Sequence, residues 1–568
     1  MTTTTDPARL PADEPPSSGY AASLSVSTRG WRLASLVLAA IVVTPILVVA
    51  ASWLTPTTDI WRHLAQTLLP ELLRNTAVLA VGVGIGVFVL GVVLAALIAL
   101  FEFPGRRFFE WALMLPLAVP AYVLAFVAVG LLDFSGPVQS WLRAVFGAND
   151  WFPPIRSGGG VIAVMVLAFY PYVYMLARSA FLAQGWGLLE TGRAFGLTPA
   201  QAFVRVALPV ARPAIAVGVA LALMEALADF GAVAVFNYDT FTTGIYKAWQ
   251  GLFSLPAAAQ LSTLLLLFVA LAFFGEQRLR GRARYHLTLK HGHEQRHRLH
   301  GAAKVGATTL CTLVLLLAFA IPVAQLIVWA IDAARTDLDA RYLRFIGNTL
   351  LLGAAAAVGT TTAAVVIAYA YRLKPDRFIA GAVRLATLGY ALPGSVLAVG
   401  IMISFVWLDR YVVATLFGSA ATPWFAGSLF AVLLAYAVRF MAVAYGPVDS
   451  AFERIKPSLL QAARSLGASN QEILWRVSLP LLRSGLVSAV LLVFIEVMKE
   501  MPATLLLRPF GWDTLATRIF EMTSEGEWQR AALPAIALVA AGLIPVVLLV
   551  RRSWSGRPAV DGVGREND

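Results

Sequence analysis

The sequence has little charge and almost no cysteine. Of its 568 residues only 13% are charged, whereas 59% are hydrophobic. The charged fraction is about half that of an ordinary soluble domain, which argues against a soluble enzyme. A single cysteine, Cys311, excludes a disulfide framework and a cysteine-rich metal cluster.

The sequence also lacks the motifs of catalysis. No Gly-x-x-x-x-Gly-Lys-Ser/Thr loop occurs, so the chain has no P-loop to cradle the phosphates of ATP. Apart from His63, the histidines fall between residues 286 and 300, and no nucleophile–base constellation is visible. An integral-membrane enzyme would need clustered histidines or acidic motifs at the membrane surface. We therefore expect no catalytic residues and no cofactor in this chain.

Twelve apolar stretches are long enough to cross a bilayer, which takes about 20 helical residues. The first six lie near residues 32–54, 76–101, 111–133, 160–182, 211–235 and 257–275. The second six lie near residues 305–331, 348–371, 384–407, 427–446, 485–507 and 531–551. Because unpaired backbone groups cannot face lipid, each stretch is predicted to be a helix. Prolines in the third and ninth stretches should sit against other helices.

The chain carries 44 Lys and Arg against 32 Asp and Glu, a net charge of +12. In a membrane protein such an excess first indicates the positive-inside rule, so no nucleic-acid partner is expected. Basic clusters at Arg106-Arg107, residues 276–304 and Arg551-Arg552 fall on one side of the predicted spans. We therefore predict cytoplasmic termini and a multi-pass location in a bacterial inner membrane.

Landmarks in the first half recur in the second at a nearly constant offset. Asn75-Thr76 matches Asn348-Thr349 at an offset of 273, and Asp239-Thr240 matches Asp513-Thr514 at 274. Such duplication predicts two pseudo-symmetric six-helix halves with a pathway between them. The predicted organisation is a disordered cytoplasmic tail at 1–30 without a cleavable signal, a first six-helix half at 31–275, a basic cytoplasmic linker at 276–304, a second six-helix half at 305–551 and a cytoplasmic tail at 552–568.

A long loop also recurs in both halves. Glu190-Thr-Gly-Arg-Ala-Phe-Gly196 precedes Pro209 by thirteen residues, and Gln461-Ala-Ala-Arg-Ser-Leu-Gly467 precedes Pro480 by the same spacing. The pattern predicts a short helix that ends at glycine, an amphipathic helix, and a proline that opens the next span. A helix lying on anionic lipid is the alternative. The candidate residues are Glu190, Arg193, Gly196, Arg205, Pro209, Gln461, Arg464, Gly467, Arg476 and Pro480.

At these residues the chain resembles the membrane subunits of type I, binding-protein-dependent ABC importers. Their loop reads Glu-Ala-Ala, three residues, Gly, and then Ile-x-Leu-Pro after nine residues or more. This sequence ends the motif with Val206-Ala-Leu-Pro209 and Val477-Ser-Leu-Pro480, and it departs at Thr191-Gly192 and Gln461. The resemblance implies the type I permease fold, two ATPase subunits that bind ATP and Mg²⁺ and dock on the loops, and a periplasmic substrate-binding protein.

Further segments resemble the fused ferric-iron permeases. They are Glu225-Ala-Leu-Ala-Asp-Phe-Gly231, Thr240-Phe-Thr-Thr-Gly-Ile-Tyr246, Glu496-Val-Met-Lys-Glu-Met-Pro-Ala503 and Arg508-Pro-Phe-Gly-Trp-Asp-Thr514. The resemblance implies ferric iron as cargo, with thiamine, phosphonate or another small solute as alternatives. A twelve-helix secondary transporter is the alternative from another class. The paired loops argue against it, because such a transporter has no ATPase to dock.

Four carboxylates interrupt the apolar stretches. Glu225 and Asp229 are four residues apart, as are Glu496 and Glu500, so each pair is predicted to share a helix face near the central axis. An ionised side chain at mid-membrane costs about 2.5–3.5 kcal/mol, so placement against lipid is not expected. Two roles stay open. The carboxylates either form a path for a hard trivalent cation or are structural, with Lys499 pairing with Glu496.

The remaining candidate is the linker between the halves, which holds five histidines. Two interpretations stay open, a cytoplasmic metal-receiving cluster and a solvated linker at the lipid surface. The spacing matches no defined metal site, and neighbouring Lys and Arg would repel a cation. Any metal ligands therefore remain unknown from the sequence. The histidines are His286, His291, His293, His297 and His300.

Overall fold

The computed structural model describes residues 29–55, 58–147, 151–280, 296–373, 375–418 and 423–555. These residues are almost entirely helical, and their two short strands hold two residues each. The expectations for most of the two tails, and for His286, His291 and His293, fall outside the described residues.

Twelve helices form the membrane-spanning region. Eleven are long and apolar enough to cross a bilayer, and the shorter apolar segment Trp528–Ile544 is the twelfth. The main helices of spans one to six are Arg29–Ala51, Leu69–Leu100, Ala121–Leu132, Gly158–Gln184, Leu208–Ala228 and Leu255–Arg280. Those of spans seven to twelve are Gly301–Asp337, Ala340–Leu373, Gly394–Leu408, Leu429–Glu453, Leu479–Lys499 and Trp528–Ser555. Spans three and nine reach membrane length only with the short helices that follow them, as Ala121–Phe146 and Gly394–Phe417. The predicted all-α integral-membrane fold is confirmed.

Shorter helices connect the spans. They are Ser52–Leu54, Thr58–Thr67, Arg106–Ala112, Leu115–Ala118, Pro137–Phe146, Gly187–Ala194, Pro199–Ala202, Phe203–Ala207, Gly231–Val235, Phe241–Tyr246, Lys247–Gly251, Arg377–Thr387, Leu388–Ala391, Asp409–Val413, Ala414–Phe417, Pro457–Ser465, Asn470–Glu472, Ile473–Ser478, Pro502–Leu507 and Leu515–Ser524. Span seven contains one wider turn at Leu316–Ala320.

The third span is broken where the sequence suggested a continuous helix. A helix ends at Ala112, a 3₁₀ turn covers Leu115–Ala118, and span three begins only after Pro120. Pro116 and Pro120 have no backbone N–H to donate, and two such residues within five positions favour a break in the helix. The break leaves backbone carbonyls without helical partners, and span four supplies one: the Tyr170 hydroxyl donates to Leu113 O at 2.8 Å. The proline-containing segment thus packs against another helix, as the sequence predicted.

Spans five and eleven also end earlier than expected. Span five stops at Ala228, where Asp229 is extended, and a short helix follows at Gly231–Val235. Span eleven stops in the same way at Lys499, and Glu500 is extended. The prediction that each carboxylate pair shares one helix face is therefore wrong. The second carboxylate of each pair instead lies in a break between two helices.

The two halves repeat their hydrogen bonds as well as their helices. The Asn75 side chain donates to Asp239 O at 2.9 Å, and Asn348 donates to Asp513 O at 3.0 Å. The repeated landmarks of the sequence therefore contact each other within each half. This duplication confirms the predicted pseudo-symmetric architecture.

The first span of each half packs on the other half. Span one lies against spans eight and nine, and a β-carbon added at Gly400 would lie 2.5 Å from Pro45 O. Span seven lies against span three, where a β-carbon at Gly130 would lie 2.7 Å from the Trp329 ring. Glycine permits both close approaches because it has no side chain. Because span one packs on the second half and span seven on the first, the two halves form one body.

The last part of the linker returns to the first half. Strand β1 (Phe101–Glu102) pairs in parallel with strand β2 (His297–Arg298), and Leu299 N donates to Glu102 O at 3.0 Å. The Trp186 ring stacks on His297 with ring centroids 5.2 Å apart. Each strand has only two residues, which is too short to leave a recognisable pattern in the sequence. This part of the linker therefore contacts protein rather than lying free in solvent.

Candidate functional site

The two duplicated loops form similar helical knobs at one end of the bundle, here called the loop end. In the first, the helix Gly187–Ala194 ends before Gly196, which has a left-handed backbone with φ of +82°. In the second, the helix Pro457–Ser465 ends before Gly467, with φ of +85°. Residues with a β-carbon adopt this conformation at a cost, which explains glycine at both positions.

A capping box then starts the second helix of each knob. The Thr198 hydroxyl accepts from Gln201 N while the Gln201 side chain accepts from Thr198 N. Ser469 and Glu472 make the same reciprocal pair. These bonds satisfy backbone groups that the start of a helix leaves unpaired. The chain continues through a wider helical turn into span five or eleven, so each knob is joined to a span without a flexible break.

Most of the predicted loop residues lie on these two knobs and are exposed, whereas Pro209 and Pro480 are the second residues of spans five and eleven. Arg193 and Arg205 are exposed on the first knob, as is Arg476 on the second, whereas Arg464 is partly buried. The residues at the tips, Phe195 and Leu466, were not predicted from the sequence. Their side chains are 83% and 88% exposed although both are apolar. Their position directly before each glycine was the available signal.

The four predicted carboxylates lie far from the knobs. Glu225 is sixteen residues after Pro209 in span five, about 24 Å along a helix. A central cavity of about 90 Å³ brings Glu225, Asp229, Glu496 and Glu500 together, with room for several water molecules. Its lining comes from both halves. Tyr172 and Arg439, which also line it, lie near the middle of spans four and ten.

Each carboxylate has an identifiable partner. Glu225 accepts from the Tyr390 hydroxyl at 2.9 Å. Asp229 accepts from Ala232 N at 2.7 Å, and Glu500 accepts from Ala503 N at 3.0 Å, so each begins the short helix that follows it. These bonds explain why the carboxylates can lie within a membrane-spanning bundle.

Two cations balance part of the negative charge. Lys499 Nζ lies 3.0 Å from Glu496 Oε1, which is the pair that the structural interpretation had suggested. Arg439 Nη1 lies 3.0 Å from Glu500 Oε2, although that nitrogen is not aligned for a hydrogen bond. A β-carbon added at Gly394 would lie 2.4 Å from Arg439 Nη1, so glycine makes room for the pair. Four carboxylates against two cations leave the cavity with a formal charge of −2.

Arg439 was not among the residues predicted from the sequence, although a signal was available. The residue falls inside the predicted tenth span, where an arginine facing lipid would be costly. It is 8% exposed, and it interacts electrostatically with Glu500, Glu225 and Glu496. A buried arginine in an apolar helix is thus the counterpart of the carboxylates that the sequence did reveal.

A second buried ion cluster lies near the loop end. Glu110 pairs with Arg178 of span four and, at 3.3 Å, with Arg106. Arg106 also lies 2.8 Å from Glu102. The cluster joins span four, which leads into the first knob, to the short helix before span three. We assign it a structural role because opposite charges meet within a protein interior.

The part of the chain that the structure describes holds no cluster of three typical metal ligands. No three His, Cys, Asp or Glu side chains in it converge closely enough to hold a metal ion. His297 packs on Trp186 instead. Cys311 is buried in span seven and forms no disulfide.

Residues 87–285 and 360–553 each match the sequence profile described as "Binding-protein-dependent transport system inner membrane component". An Fe(3+)-transport system permease protein, FbpB 2 of Haemophilus influenzae, is 28% identical over 495 residues, which cover 86% of this chain and 90% of that protein. A ferric transport system permease protein, FbpB of Actinobacillus pleuropneumoniae, is 22% identical over 77% of this chain and 63% of its own length. A putative 2-aminoethylphosphonate transport system permease protein, PhnV of Salmonella choleraesuis, is 36% identical over 23% of this chain and half of its own length.

Proposed function

The chain belongs to the family of binding-protein-dependent transport system inner membrane components, because the family profile matches more than half of its length. On that premise we propose that it is the membrane-spanning subunit of an ATP-driven importer of ferric iron. The family is defined by binding-protein-dependent transport, which leaves no support for the secondary-transporter alternative. The sequence has no P-loop, so ATP hydrolysis requires a partner subunit.

The two knobs are the proposed docking sites for two copies of an ATPase subunit. Each presents an exposed apolar tip, Phe195 or Leu466, beside exposed basic residues. Buried apolar anchors surrounded by polar residues are typical of protein interfaces. The direct continuation of each knob into span five or eleven gives closure of the ATPases a rigid route into the membrane.

The loop end is then cytoplasmic, and both termini lie on that side. The basic residues Arg106, Arg107 and Arg372 lie at this end, as the positive-inside rule requires. The opposite end faces the periplasm and receives a substrate-binding protein. These assignments follow from the docking of ATPases, which are cytoplasmic.

The observation that carries the cargo proposal is the charge of the central cavity. Four carboxylates face two cations there, so the cavity attracts a cation and opposes an anion. Carboxylate oxygens suit a hard trivalent ion. The similarity to two permeases named for ferric iron agrees with this charge, whereas a phosphonate would meet repulsion. A path of transient contacts also suits a transporter, which must release its cargo.

The proposal is tested by measuring ATP hydrolysis. The chain is purified with its co-purifying ATPase, placed in lipid nanodiscs, and exposed to candidate binding proteins loaded with ferric iron, thiamine or a phosphonate. We expect stimulation by an iron-loaded binding protein and little by the same protein without iron.

Two results would contradict the proposal at different levels. Stimulation by a thiamine-loaded or phosphonate-loaded protein alone would retain the importer but reject iron as the cargo. Failure of any ATPase to co-purify, in a preparation that remains monodisperse, would reject the docking role of the knobs. Alanine at Gly196 or Gly467 should reduce co-purification of the ATPase. The matched control is Gly187→Ala, because Gly187 lies on the first knob away from the left-handed turn.

A further inference from the structure

The charges of the central cavity are divided unequally between the two halves. Both cations, Arg439 and Lys499, come from the second half. At the pseudo-equivalent positions, 271 residues earlier, the first half has Ala168 and Ala228, which also line the cavity. The repeat therefore preserves the carboxylates but not their counter-charges.

The partners of the carboxylates follow the same division. In the second half, Glu496 and Glu500 each lie 3.0 Å from a cationic nitrogen. In the first half, Glu225 accepts from a tyrosine hydroxyl and Asp229 from a backbone N–H, and both donors are neutral. Among the described residues, neither first-half carboxylate thus forms a direct ion pair, although Arg439 and Lys499 act on Glu225 electrostatically.

An unpartnered hydroxyl lies beside the first-half pair. Tyr122 lines the cavity and is 6% exposed, and its hydroxyl makes no hydrogen bond to the described residues. It interacts electrostatically with Asp229 and, to a smaller extent, with Glu500 of the second half. Gly231 holds the ring close, because a β-carbon there would lie 2.6 Å from Tyr122 Cβ. A buried polar group without a partner is costly unless something else fills its bonding capacity.

We propose that Glu225, Asp229 and the Tyr122 hydroxyl form an asymmetric contact site for a hard cation. This inference rests on the proposed function for the passage of the cation, and it adds which half binds it. Two carboxylates and one phenol oxygen supply part of a coordination shell, and water supplies the rest. Lys499 and Arg439 form ion pairs with the second-half carboxylates, so these carboxylates do not bind the cation. The cation is therefore held by the first half alone and is not surrounded by protein ligands.

Arg439 has a second effect on this site. Its ion pair is with Glu500, but it also interacts electrostatically with Glu225. A fixed positive charge near the site opposes tight binding of a trivalent ion, which favours onward release. Arg439 is therefore a positioning residue, and it limits the affinity rather than contacting the cargo.

The test is direct binding of Tb³⁺ to the purified full-length chain in a non-ionic detergent. Tb³⁺ is a hard trivalent probe whose emission is sensitised by nearby tyrosine. We expect saturable emission, and Glu225→Gln or Asp229→Asn should weaken the Tb³⁺ affinity by about tenfold or more, since even loss of an outer-shell partner costs about that much at metal sites. Tyr122→Phe should also weaken binding, and the double variant E225Q/D229N serves as the blank.

The matched control removes Glu496, the second-half equivalent of Glu225, together with its ion-pair partner Lys499, so that the net charge does not change. The double variant E496Q/K499Q should keep the Tb³⁺ affinity within about threefold, since it removes an occupied carboxylate together with its cation. A loss equal to that of Glu225→Gln would overturn the asymmetry. Absence of saturable Tb³⁺ emission from the unaltered chain would overturn the site. Size-exclusion profiles identify any variant that is misfolded, and the remaining first-half variants then decide the outcome.

Failure of this inference differs from failure of the proposed function. The Tb³⁺ measurement needs no ATPase and no binding protein. Iron-dependent stimulation of ATP hydrolysis together with equal losses in both halves would retain the importer and reject the asymmetric site. Asymmetric Tb³⁺ binding without iron-dependent stimulation would retain the site and reject ferric iron as the imported cargo.

Discussion

The side-chain amide of Asn348 donates to the backbone carbonyl of Asp513 at 3.0 Å, joining residues 165 positions apart. Asn75 and Asp239 make the same bond in the first half. The start of the second or eighth span is thereby tied to the loop that follows the fifth or eleventh span. Each bond links the two repeated landmarks by which the sequence revealed its duplication.

Replacing Asn348 with alanine should lower the stability of the second half. Hydrogen bonds between membrane helices contribute about 0.6 kcal/mol on average, so we expect a small loss of this order. A thermal unfolding midpoint in detergent measures it. The control is Thr362→Ala, because Thr362 is exposed and bonds only to Val358 of its own helix. An equal loss in both variants would contradict a specific role for Asn348.

The left-handed glycines of the knobs should be sensitive to alanine. Gly196 and Gly467 have φ of +82° and +85°, and no atom lies within 4 Å of an added β-carbon at either position. The strain is therefore in the backbone, about 1–2 kcal/mol for each residue. We expect Gly467→Ala to reduce stimulated ATP hydrolysis several-fold. Gly187→Ala is the control, and equal activity of all variants would contradict the prediction.

The apolar knob tips should matter for the ATPase partner and little for folding. Phe195→Ser and Leu466→Ser each remove an exposed apolar side chain, so the chain should remain monodisperse while less ATPase co-purifies. The control is Phe134→Ser, at the opposite end, where the side chain is 68% exposed. Retention of the ATPase by both tip variants would reject these anchors.

Removing the shared carboxylate of the buried ion cluster near the loop end should strongly destabilise the chain. Glu110→Gln leaves Arg106 and Arg178 without their shared carboxylate, and removing one partner of a buried pair costs about 3–5 kcal/mol. Glu102→Gln is the control, because the Glu102 side chain is 42% exposed and should matter less. Thermal unfolding compares them. A larger loss for Glu102→Gln would contradict the assignment.

The spans, the repeat and the loop pattern were readable from sequence because each depends on local periodicity or spacing. The breaks at Asp229 and Glu500 were not, since the residues up to them are ordinary helix formers and Gly231 or Pro502 comes only afterwards. The packing of span one on the second half is tertiary and leaves no local pattern.

Within the candidate site, the carboxylates were visible as charges in apolar stretches. Their convergence in one cavity followed the predicted pseudo-symmetry, but their pairing did not. Lys499 was identifiable because it is three residues from Glu496, within reach on one helix. Arg439 is 61 residues before Glu500, so only the folded chain reveals that they pair.

ATP-driven uptake of radioactive ferric iron tests ferric import most directly. Proteoliposomes would hold the chain with its ATPase and be supplied with an iron-loaded binding protein. We predict uptake that requires ATP, falls in the Gly196→Ala and Gly467→Ala double variant, and falls in Glu225→Gln while ATP hydrolysis continues. Iron uptake that proceeds equally without ATP, or ATP-driven uptake of another solute with none of iron, would contradict the function proposed for this chain.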